Sequence, residues 1–242
     1  MPKLSGKTAG KRFRNEWKYV LPEPELAVAE GRLKGLLAPD GHAGRDGRYT
    51  VSSLYFDDCA DSCASDNDAG SSRRFKWRIR YYGDDPSHLF LERKEKENAL
   101  CRKLSAQITQ GQFEQLVAGR AEELVYTAES ELIRIFCVQI LTRRFAPKAV
   151  IRYDRAAYVE EASNVRVTLD ENIEVSRDVK CFLSGDGMFY PVLPHGRHVL
   201  EVKFDDLLPG YLKSALSGRN MTLTAMSKYY QGRLALLRMG RY

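Results

Sequence analysis

Short segments in which apolar and polar residues alternate recur along the whole chain. In residues 12–21, for example, Phe13, Trp17 and Tyr19 alternate with charged positions. Because successive side chains of a strand point to opposite faces, this alternation predicts strands that have one apolar and one polar face. The segments predicted as strands are 12–21, 49–58, 75–83, 88–96, 101–108, 149–159, 164–175 and 198–204.

Helical periodicity and helix-boundary residues appear between these strands. The first predicted helix begins at the prolines 22 and 24 and stops before Pro39, and the second has Thr109 as its N-cap. Three further predicted helices span 130–145, 207–217 and 221–239. Residues 58–72 are small and polar and predict a loop of uncertain order. Together the elements predict an α+β fold, an antiparallel β-barrel of about eight strands decorated with helices. We expect one domain over 12–242, preceded by a disordered basic leader over 1–11.

The polar faces of the predicted strands are mainly cationic. Arg78 and Arg80 lie two residues apart and therefore on one face, as Glu201 and Lys203 do. An ordinary half-solvated sheet also explains such alternation. Here, however, arginines are frequent, and the opposite faces are strongly apolar. A polar barrel lumen lined by like charges is costly unless an anion compensates. The pattern therefore favours a lumen that binds a small, dense polyanion.

Charge and cysteine content narrow the class of protein. The chain has 242 residues and a formal net charge of +6, which favours an anionic partner without identifying it. The five cysteines are scattered and lack the spacing of a zinc site, which favours a reducing, cytoplasmic compartment. The first residues lack the apolar core of a signal peptide, and no apolar run is long enough to span a bilayer.

Eight short motifs, in this order and spacing, resemble one known family. They are RNEWKYVL, TVSSLYFDD, FKWRIRYYG, FLERK, IRYDRAAY, VRVTLD, LEVKF and SKYY, which lie between about residue 12 and residue 232. This set resembles the VTC domain, the catalytic module of the vacuolar transporter chaperone polyphosphate polymerases. That family belongs to the triphosphate tunnel metalloenzymes, alongside the CYTH-type triphosphatases and adenylate cyclases. The resemblance implies a tunnel of antiparallel strands that encloses a triphosphate and a divalent metal.

The resemblance also implies roles for individual residues of this chain. The residues implied to act in catalysis by holding phosphate are Arg78, Arg80, Lys94, Arg155 and Lys228. Those implied to bind substrate elsewhere in the tunnel are Lys18, Lys103, Tyr153, Arg166, Lys203 and Ser227. Glu201 is similar to the metal-binding glutamate of the family, with Glu16 as a second metal ligand.

Three positions depart from the superfamily pattern. Arg14 replaces one metal carboxylate in the opening motif of the triphosphatases, which favours the VTC branch. Residues 58–72 contain only Asn67 and small polar groups where relatives often have a basic residue. Ala225 stands where eukaryotic polymerases have a lysine. The SPX domain and membrane region of eukaryotic VTC proteins are absent from the sequence, so the resemblance implies a free-standing, soluble, bacterial version.

The implied function is polyphosphate polymerase. The γ-phosphoryl group of ATP would pass to phosphate or polyphosphate, with Mn²⁺ or Mg²⁺ as cofactor. Three alternatives stay open: hydrolysis of triphosphate or nucleoside triphosphates, non-catalytic binding of polyphosphate, and RNA binding through Trp77, Tyr81 and Tyr82. The expected partners are ATP, triphosphate or polyphosphate, with no nucleic acid. Association with a membrane protein, and whether residues 58–72 cover the tunnel mouth, also stay open.

Two acidic residues have competing interpretations. Glu92 is expected to pair with Arg78 or Arg80 rather than to act as a general base. Asp170 is expected to be either a second metal ligand or a turn carboxylate.

Overall fold

Eight antiparallel strands close into a barrel in the part of the chain that the structure describes. This computed structural model describes residues 12–41, 44, 46–218 and 221–240, so the predicted leader over 1–11 lies outside the described residues. The strands are β1 (Arg14–Pro22), β2 (Ala38–Pro39), β3 (Arg48–Asp57), β4 (Arg73–Tyr82), β5 (Leu89–Glu97), β6 (Leu100–Ile108), β7 (Ala146–Glu160), β8 (Val165–Ser176), β9 (Tyr190–Pro191) and β10 (Arg197–Phe204).

Helices lie between and after these strands. They are α1 (Glu23–Lys34), α2 (Ser62–Asp68), α3 (Gln110–Val117), α4 (Leu124–Thr127), α5 (Glu131–Arg143), α6 (Cys181–Ser184), α7 (Gly210–Ala215) and α8 (Lys228–Met239). None of the helices in the described residues is long and apolar enough to cross a membrane.

The barrel closes because β7, the longest strand, pairs with β3 along one edge and with β8 along the other. The sheet order is β2-β7-β3-β4-β5-β6-β1-β10-β8-β9, and β7 pairs with β8 as well as with β3. The ring therefore runs from β7 through β3, β4, β5, β6, β1, β10 and β8 back to β7, and the two-residue strands β2 and β9 lie outside it. This arrangement confirms the predicted antiparallel barrel with helices.

Alternation along the strands separates a polar lumen from an apolar outer face. On β4, Trp77 and Ile79 are fully buried, whereas Lys76 and Arg78, which alternate with them, line the lumen. Two apolar clusters cover the outer face. The larger includes Trp77 packed on Phe136 of α5, with ring centroids 4.6 Å apart, and the smaller packs α1 and α7 against β1, β8 and β10. The helices thus cover the barrel from outside and leave the lumen to charged residues.

Several element boundaries differ from the sequence prediction. The helix predicted to start at 221 begins at Lys228, with Ser227 as its N-cap, and 221–227 is not helical. The segment 58–72, predicted as a loop, contains α2, because the buried Asp57 carboxylate accepts hydrogen bonds from the Cys63 and Ala64 amides at its start. Thr109 is confirmed as an N-cap, and its side chain forms a capping box with Gln112.

One glycine permits α8 to approach the barrel closely. A Cβ atom at Gly232 would lie 2.5 Å from Ile151 Cδ1, in a part of the core where Ile151 is fully buried. We expect Gly232→Ala to lower the free energy of unfolding by about 1 kcal/mol, since overpacking outweighs the gain in helix propensity. Urea denaturation followed by circular dichroism measures this change.

The matched control is the same substitution on an exposed helix face. A Cβ at Gly31 of α1 meets nothing within 4 Å, so Gly31→Ala should raise the free energy of unfolding by about 0.5–1 kcal/mol. Equal effects of the two substitutions would contradict the close approach of α8 to the barrel.

Candidate functional site

The barrel lumen is a cavity of about 230 Å³ that is lined mainly by lysine and arginine side chains. Every residue for which the resemblance implied a role lines this one cavity. These residues are Glu16, Lys18, Arg78, Arg80, Lys94, Lys103, Tyr153, Arg155, Arg166, Glu201, Lys203, Ser227 and Lys228. They come from seven strands and the start of α8, so closure of the barrel is what brings them together.

Glu92 holds three cations on one side of the lumen. Its carboxylate is 1% exposed and lies 2.6 Å from Arg78 Nη2, 2.5 Å from Lys103 Nζ and 3.8 Å from Arg80 Nη1. Burial alone would raise the pKa of Glu92, but the positive charge of these three partners holds that pKa well below its usual range. The expected ion pair is therefore present with both arginines, and Glu92 fixes their orientation.

Tyrosine and serine hydroxyls complete the positioning of the two arginines. Arg78 Nη1 donates to Tyr55 OH at 2.9 Å, while Arg80 donates to Ser53 Oγ at 3.0 Å and to Tyr153 OH at 3.1 Å. Each guanidinium is thus held by several fixed acceptors. Such preorganisation lowers the entropy cost of binding an anion, because little side-chain freedom is left to lose.

Glu16 of β1 and Glu201 of β10 are diagonal neighbours, because the strand register places Glu16 opposite Lys203 and Lys18 opposite Glu201. Lys18 Nζ bridges them, 2.8 Å from Glu16 Oε1 and 3.4 Å from Glu201 Oε2. Lys94 also contacts Glu16 at 2.6 Å, and Lys203 contacts Glu201 at 2.5 Å. Burial raises the pKa of both carboxyl groups, but the surrounding lysines outweigh it and lower both pKa values.

Asp170 holds the two cations on the opposite side of the lumen. It lies in the middle of β8 and is fully buried, so the turn-carboxylate interpretation is wrong. Both of its oxygens accept from Arg155, at 2.6 and 2.8 Å, and Lys228 Nζ lies 2.5 Å from Oδ2. Its role in this structure is that of an ion-pair partner. Burial raises the pKa of Asp170, but Arg155 and Lys228 lower it to about 2.

The remaining predicted residues lie at the edges of this arrangement. Arg166 contacts Asp40 at 2.5 Å and donates to Tyr49 OH at 3.1 Å. Ser227 Oγ accepts from the Tyr230 amide at 3.3 Å as the N-cap of α8. Lys228, the first residue of that helix, is thereby placed with its ammonium over the Tyr153 ring at 4.8 Å.

The segment before α8 forms part of the lumen wall and is hydrogen-bonded to Lys18. Thr224 N donates to Lys18 O at 2.9 Å, and Lys18 Nζ donates to Met226 O at 3.1 Å. Ala225, which the resemblance identified as a departure, lies in this segment and also lines the cavity. Asn67 of α2 reaches the cavity next to it, so residues of the 58–72 segment do contribute to the lumen wall.

The sequence reasoning missed several cavity residues. They include Arg12, Tyr55, Arg74, Lys76, Tyr82, Lys96, Cys101 and Arg102. The signal for three of them was present. Arg74 and Lys76 continue the same two-residue spacing as Arg78 and Arg80 on β4. Lys96 likewise continues the lumen face of β5 beyond Lys94.

The donor set around Glu16 and Glu201 fits one mode of divalent-metal binding. Among the described residues no group of three or more His, Cys, Asp or Glu side chains could hold a metal ion. Mg²⁺ is often bound by only one or two carboxylates together with substrate phosphates and water. The two adjacent carboxylates therefore fit a metal that binds together with a phosphate ligand, and not an all-protein metal cage.

Comparison with known proteins gives one family match by sequence. The family model described as the VTC domain matches residues 13–237. No curated protein matches the sequence.

Solved structures share the fold at low sequence identity. The putative adenylyl cyclase HpAC1 from Hippeastrum, described as having a dominant triphosphatase activity, is 17% identical, with a TM-score of 0.55 over 91% of this chain and 95% of its own. A putative adenylate cyclase from Bacillus halodurans is 11% identical, with a TM-score of 0.48 over 96% of this chain and 90% of its own. The match to HpAC1 supports the triphosphate tunnel fold.

Removal of the Glu92 charge should destabilise the barrel. Glu92→Gln leaves Arg78, Arg80 and Lys103 without their shared countercharge in a buried site, which we expect to lower the free energy of unfolding by about 3–5 kcal/mol. The measurement is urea denaturation in phosphate-free buffer. Tripolyphosphate should restore more stability to Glu92→Gln than it adds to the unsubstituted protein, because it supplies the missing negative charge.

The control is the same substitution at the exposed end of the same strand. Glu97 pairs with Arg73 at 2.7 Å, where the Arg73 side chain is 83% exposed, and we expect Glu97→Gln to change stability by less than about 1 kcal/mol. A Glu92→Gln variant as stable as Glu97→Gln would refute the countercharge role of Glu92.

Acid should unfold the protein as the lumen carboxylates become protonated. The pKa of Asp170 falls from its ordinary value of 3.8 to about 2 in the folded state. A carboxyl group whose pKa is lower in the folded state contributes stability that is complete above its unfolded pKa and is lost as the pH falls toward the folded value. We therefore expect the free energy of unfolding to fall between pH 4 and pH 2. In Asp170→Asn this part of the profile should be flatter, and an unchanged profile would contradict the assignment.

Proposed function

The chain belongs to the VTC domain family, and on that premise we propose that it transfers the γ-phosphoryl group of ATP to phosphate or polyphosphate inside the tunnel. The observation that carries the proposal is the surplus of positive charge in a closed lumen. Among the described residues only Glu16 and Glu201 line the cavity as carboxylates, against a much larger number of lysines and arginines. A triphosphate or polyphosphate supplies the negative charge that such a lumen lacks.

The positions of the arginines suit phosphoryl transfer. This reaction needs in-line positioning and neutralisation of the equatorial oxygens more than it needs a covalent catalyst. Arg78, Arg80 and Arg155 are held rigidly by buried carboxylates and hydroxyls, so they can act as fixed electrostatic partners of a phosphoryl group. In the proposed step an oxygen of the acceptor phosphate bonds to the γ-phosphorus, the bond from that phosphorus to the β-phosphate oxygen breaks, and ADP leaves.

Mn²⁺ or Mg²⁺ is the proposed cofactor, with Glu201 and Glu16 as its protein ligands. Held there, a divalent ion would supply positive charge that neutralises the charge developing on the phosphoryl group. The Lys18 ammonium contacts both carboxylates. When these carboxylates bind a metal ion, the ammonium is available to bind a phosphate oxygen instead.

Two features favour transfer to phosphate over hydrolysis. Glu16 and Glu201 each lie within 2.8 Å of lysine ammonium groups, so neither is a good proton acceptor for an attacking water. Arg14 pairs with Asp205 at 2.8 Å in the position where the triphosphatase motif has a further carboxylate. Hydrolysis and non-catalytic binding are retained as outcomes of the test.

The decisive experiment is incubation of the purified protein with ATP and Mn²⁺. We expect ADP together with long-chain polyphosphate, separated by gel electrophoresis. Release of inorganic phosphate alone would replace the proposal with hydrolysis. Binding of tripolyphosphate without turnover under Mn²⁺ and Mg²⁺ would replace it with a binding function.

Two variants separate binding from chemistry in the same assay. Arg80→Ala should weaken tripolyphosphate binding by on the order of tenfold to a hundredfold, since a hydrogen bond to a charged group contributes about 1.5–3 kcal/mol. Glu201→Gln should abolish turnover but bind tripolyphosphate at least as tightly in metal-free buffer, because it removes negative charge from the lumen. The matched control Glu97→Gln should keep full activity, and full activity in Glu201→Gln would show that the metal assignment is wrong.

A further inference from the structure

We infer that a second cavity, on the outside of the barrel wall, is a binding site for a linear polyamine. This outer cleft has a volume of about 620 Å³ and is lined by residues of β3, β4, β7 and β8, by the turn after β4 and by residues 183–186. The inference goes beyond the proposed function and does not depend on it, because the outer cleft is separate from the lumen.

The strand register places the outer cleft behind the wall of the lumen. Ser53 accepts a hydrogen bond from Arg80 inside the lumen, so the neighbouring Ser52 faces outward. Ser52 lies directly opposite Tyr81 of β4 and opposite Arg152 of β7. Residues that are directly opposite in an antiparallel pair share a face, and all three line the outer cleft.

The outer cleft is acidic, although the chain as a whole has a formal net charge of +6. The charged residues that line it are Asp84, Asp154, Glu174 and Asp186, with Arg152 as the one cation. Arg152 pairs with Glu174 at 3.0 Å. Within the part of the chain that the structure describes, the three aspartates make no ion pair. The surplus of negative charge favours a cationic ligand.

Two buried hydroxyl groups without partners provide a second, independent indication of a ligand. Ser52 is 4% exposed and Tyr81 is 5% exposed, and both line the outer cleft. Neither side chain has a hydrogen-bond partner among the described residues, and neither oxygen is fully enclosed. Buried polar groups are normally hydrogen-bonded, so these two oxygens are available to accept from N–H groups of a ligand.

The arrangement of the carboxylates suits several ammonium groups rather than one metal ion. No group of three or more His, Cys, Asp or Glu side chains among the described residues could hold a metal. Asp154 is partly buried and accepts from Asn172 at 2.8 Å, whereas Asp84 and Asp186 are exposed. A linear polyamine has ammonium groups at intervals along a flexible chain, so it can reach carboxylates that are far apart.

The depth of the hydroxyl groups also favours a slender ligand. Since Ser52 and Tyr81 are both more than nine-tenths buried, a narrow aliphatic chain reaches them more readily than the surface of a basic protein does. The methylene segments of such a chain can pack on Leu183, which also lines the outer cleft.

The first test removes one hydroxyl group. Spermidine binding to the full chain is measured by calorimetry without ATP, phosphate or divalent metal. We expect Tyr81→Phe to bind spermidine about tenfold more weakly, because a hydrogen bond to a charged group is lost. The variant should be as stable as the unsubstituted protein to urea, since the hydroxyl has no partner in the free protein and the ring keeps its contact with Phe182. The matched control is Tyr126→Phe, at a residue that is 87% exposed, and it should leave the affinity unchanged.

The second test removes two charges at the exposed edge of the outer cleft. The double variant Asp84→Asn, Asp186→Asn should bind spermidine about fivefold more weakly, because each exposed ion pair contributes modestly. Its control is Glu122→Gln, Glu129→Gln, which makes the same change in net charge at exposed residues outside the outer cleft. This control should bind spermidine as the unsubstituted protein does.

Three results would overturn the inference. They are no spermidine binding below about 1 mM, equal losses in the variants and their controls, and displacement of spermidine by Mg²⁺ at an equal concentration. The second result would reduce binding to general charge attraction, and the third would indicate a metal site. Because the assay contains no ATP, a chain that makes no polyphosphate but shows the expected pattern would refute the proposed function and leave the polyamine site standing.

Discussion

The neutralisation of buried positive charge is the constraint on which the rest of this structure depends. Closing an antiparallel sheet around lysines and arginines removes them from bulk water, and an unpaired buried charge is strongly unfavourable. Four buried carboxylates, Glu16, Glu92, Asp170 and Glu201, each contact at least two cations. They neutralise enough charge for the barrel to form and leave a positive surplus for a ligand. The apolar outer face makes this lumen possible, since Trp77 and Ile79 pack in the core outside the barrel while Arg78 between them faces inward. Hydrophobic burial outside the barrel therefore offsets the electrostatic cost inside it.

Much of the fold and of the lumen could be predicted from the sequence, for a physical reason. A period of two in hydrophobicity fixes which side chains share a face, so the alternation predicted that Arg78 and Arg80 lie on one polar face, as Glu201 and Lys203 do. The motifs resembling the VTC domain added residues from the other strands and, with Lys228, from the start of α8. The alternation could not show which strands pair across the closure, and so it could not show that Asp170 contacts both Arg155 and Lys228.

The features that were not predicted depend on tertiary contacts rather than on local pattern. The residues 58–72 have the composition of a loop, but the buried Asp57 carboxylate binds the amides that begin α2. Residues 221–227 have helical composition, yet Lys18 forms hydrogen bonds with their backbone through both its carbonyl oxygen and its ammonium, which holds them against the lumen. Lys76 continues the spacing of Arg78 and Arg80, but its partners come from these two segments, so its surroundings could not be predicted from β4 alone.

Countercharge is uneven within the lumen, and this bears on how such a tunnel selects its ligand. A lumen whose cations were all paired with carboxylates would have to break ion pairs before it could bind an anion, and the gain would be small. A lumen with no carboxylates would not close in the absence of ligand. With Glu92 and Asp170 holding the arginines and with Lys76 held, among the described residues, only by neutral oxygens, the protein combines preorganised cations with an uncompensated one. Under the proposed function, charge density is then the property of a ligand to which such a lumen responds.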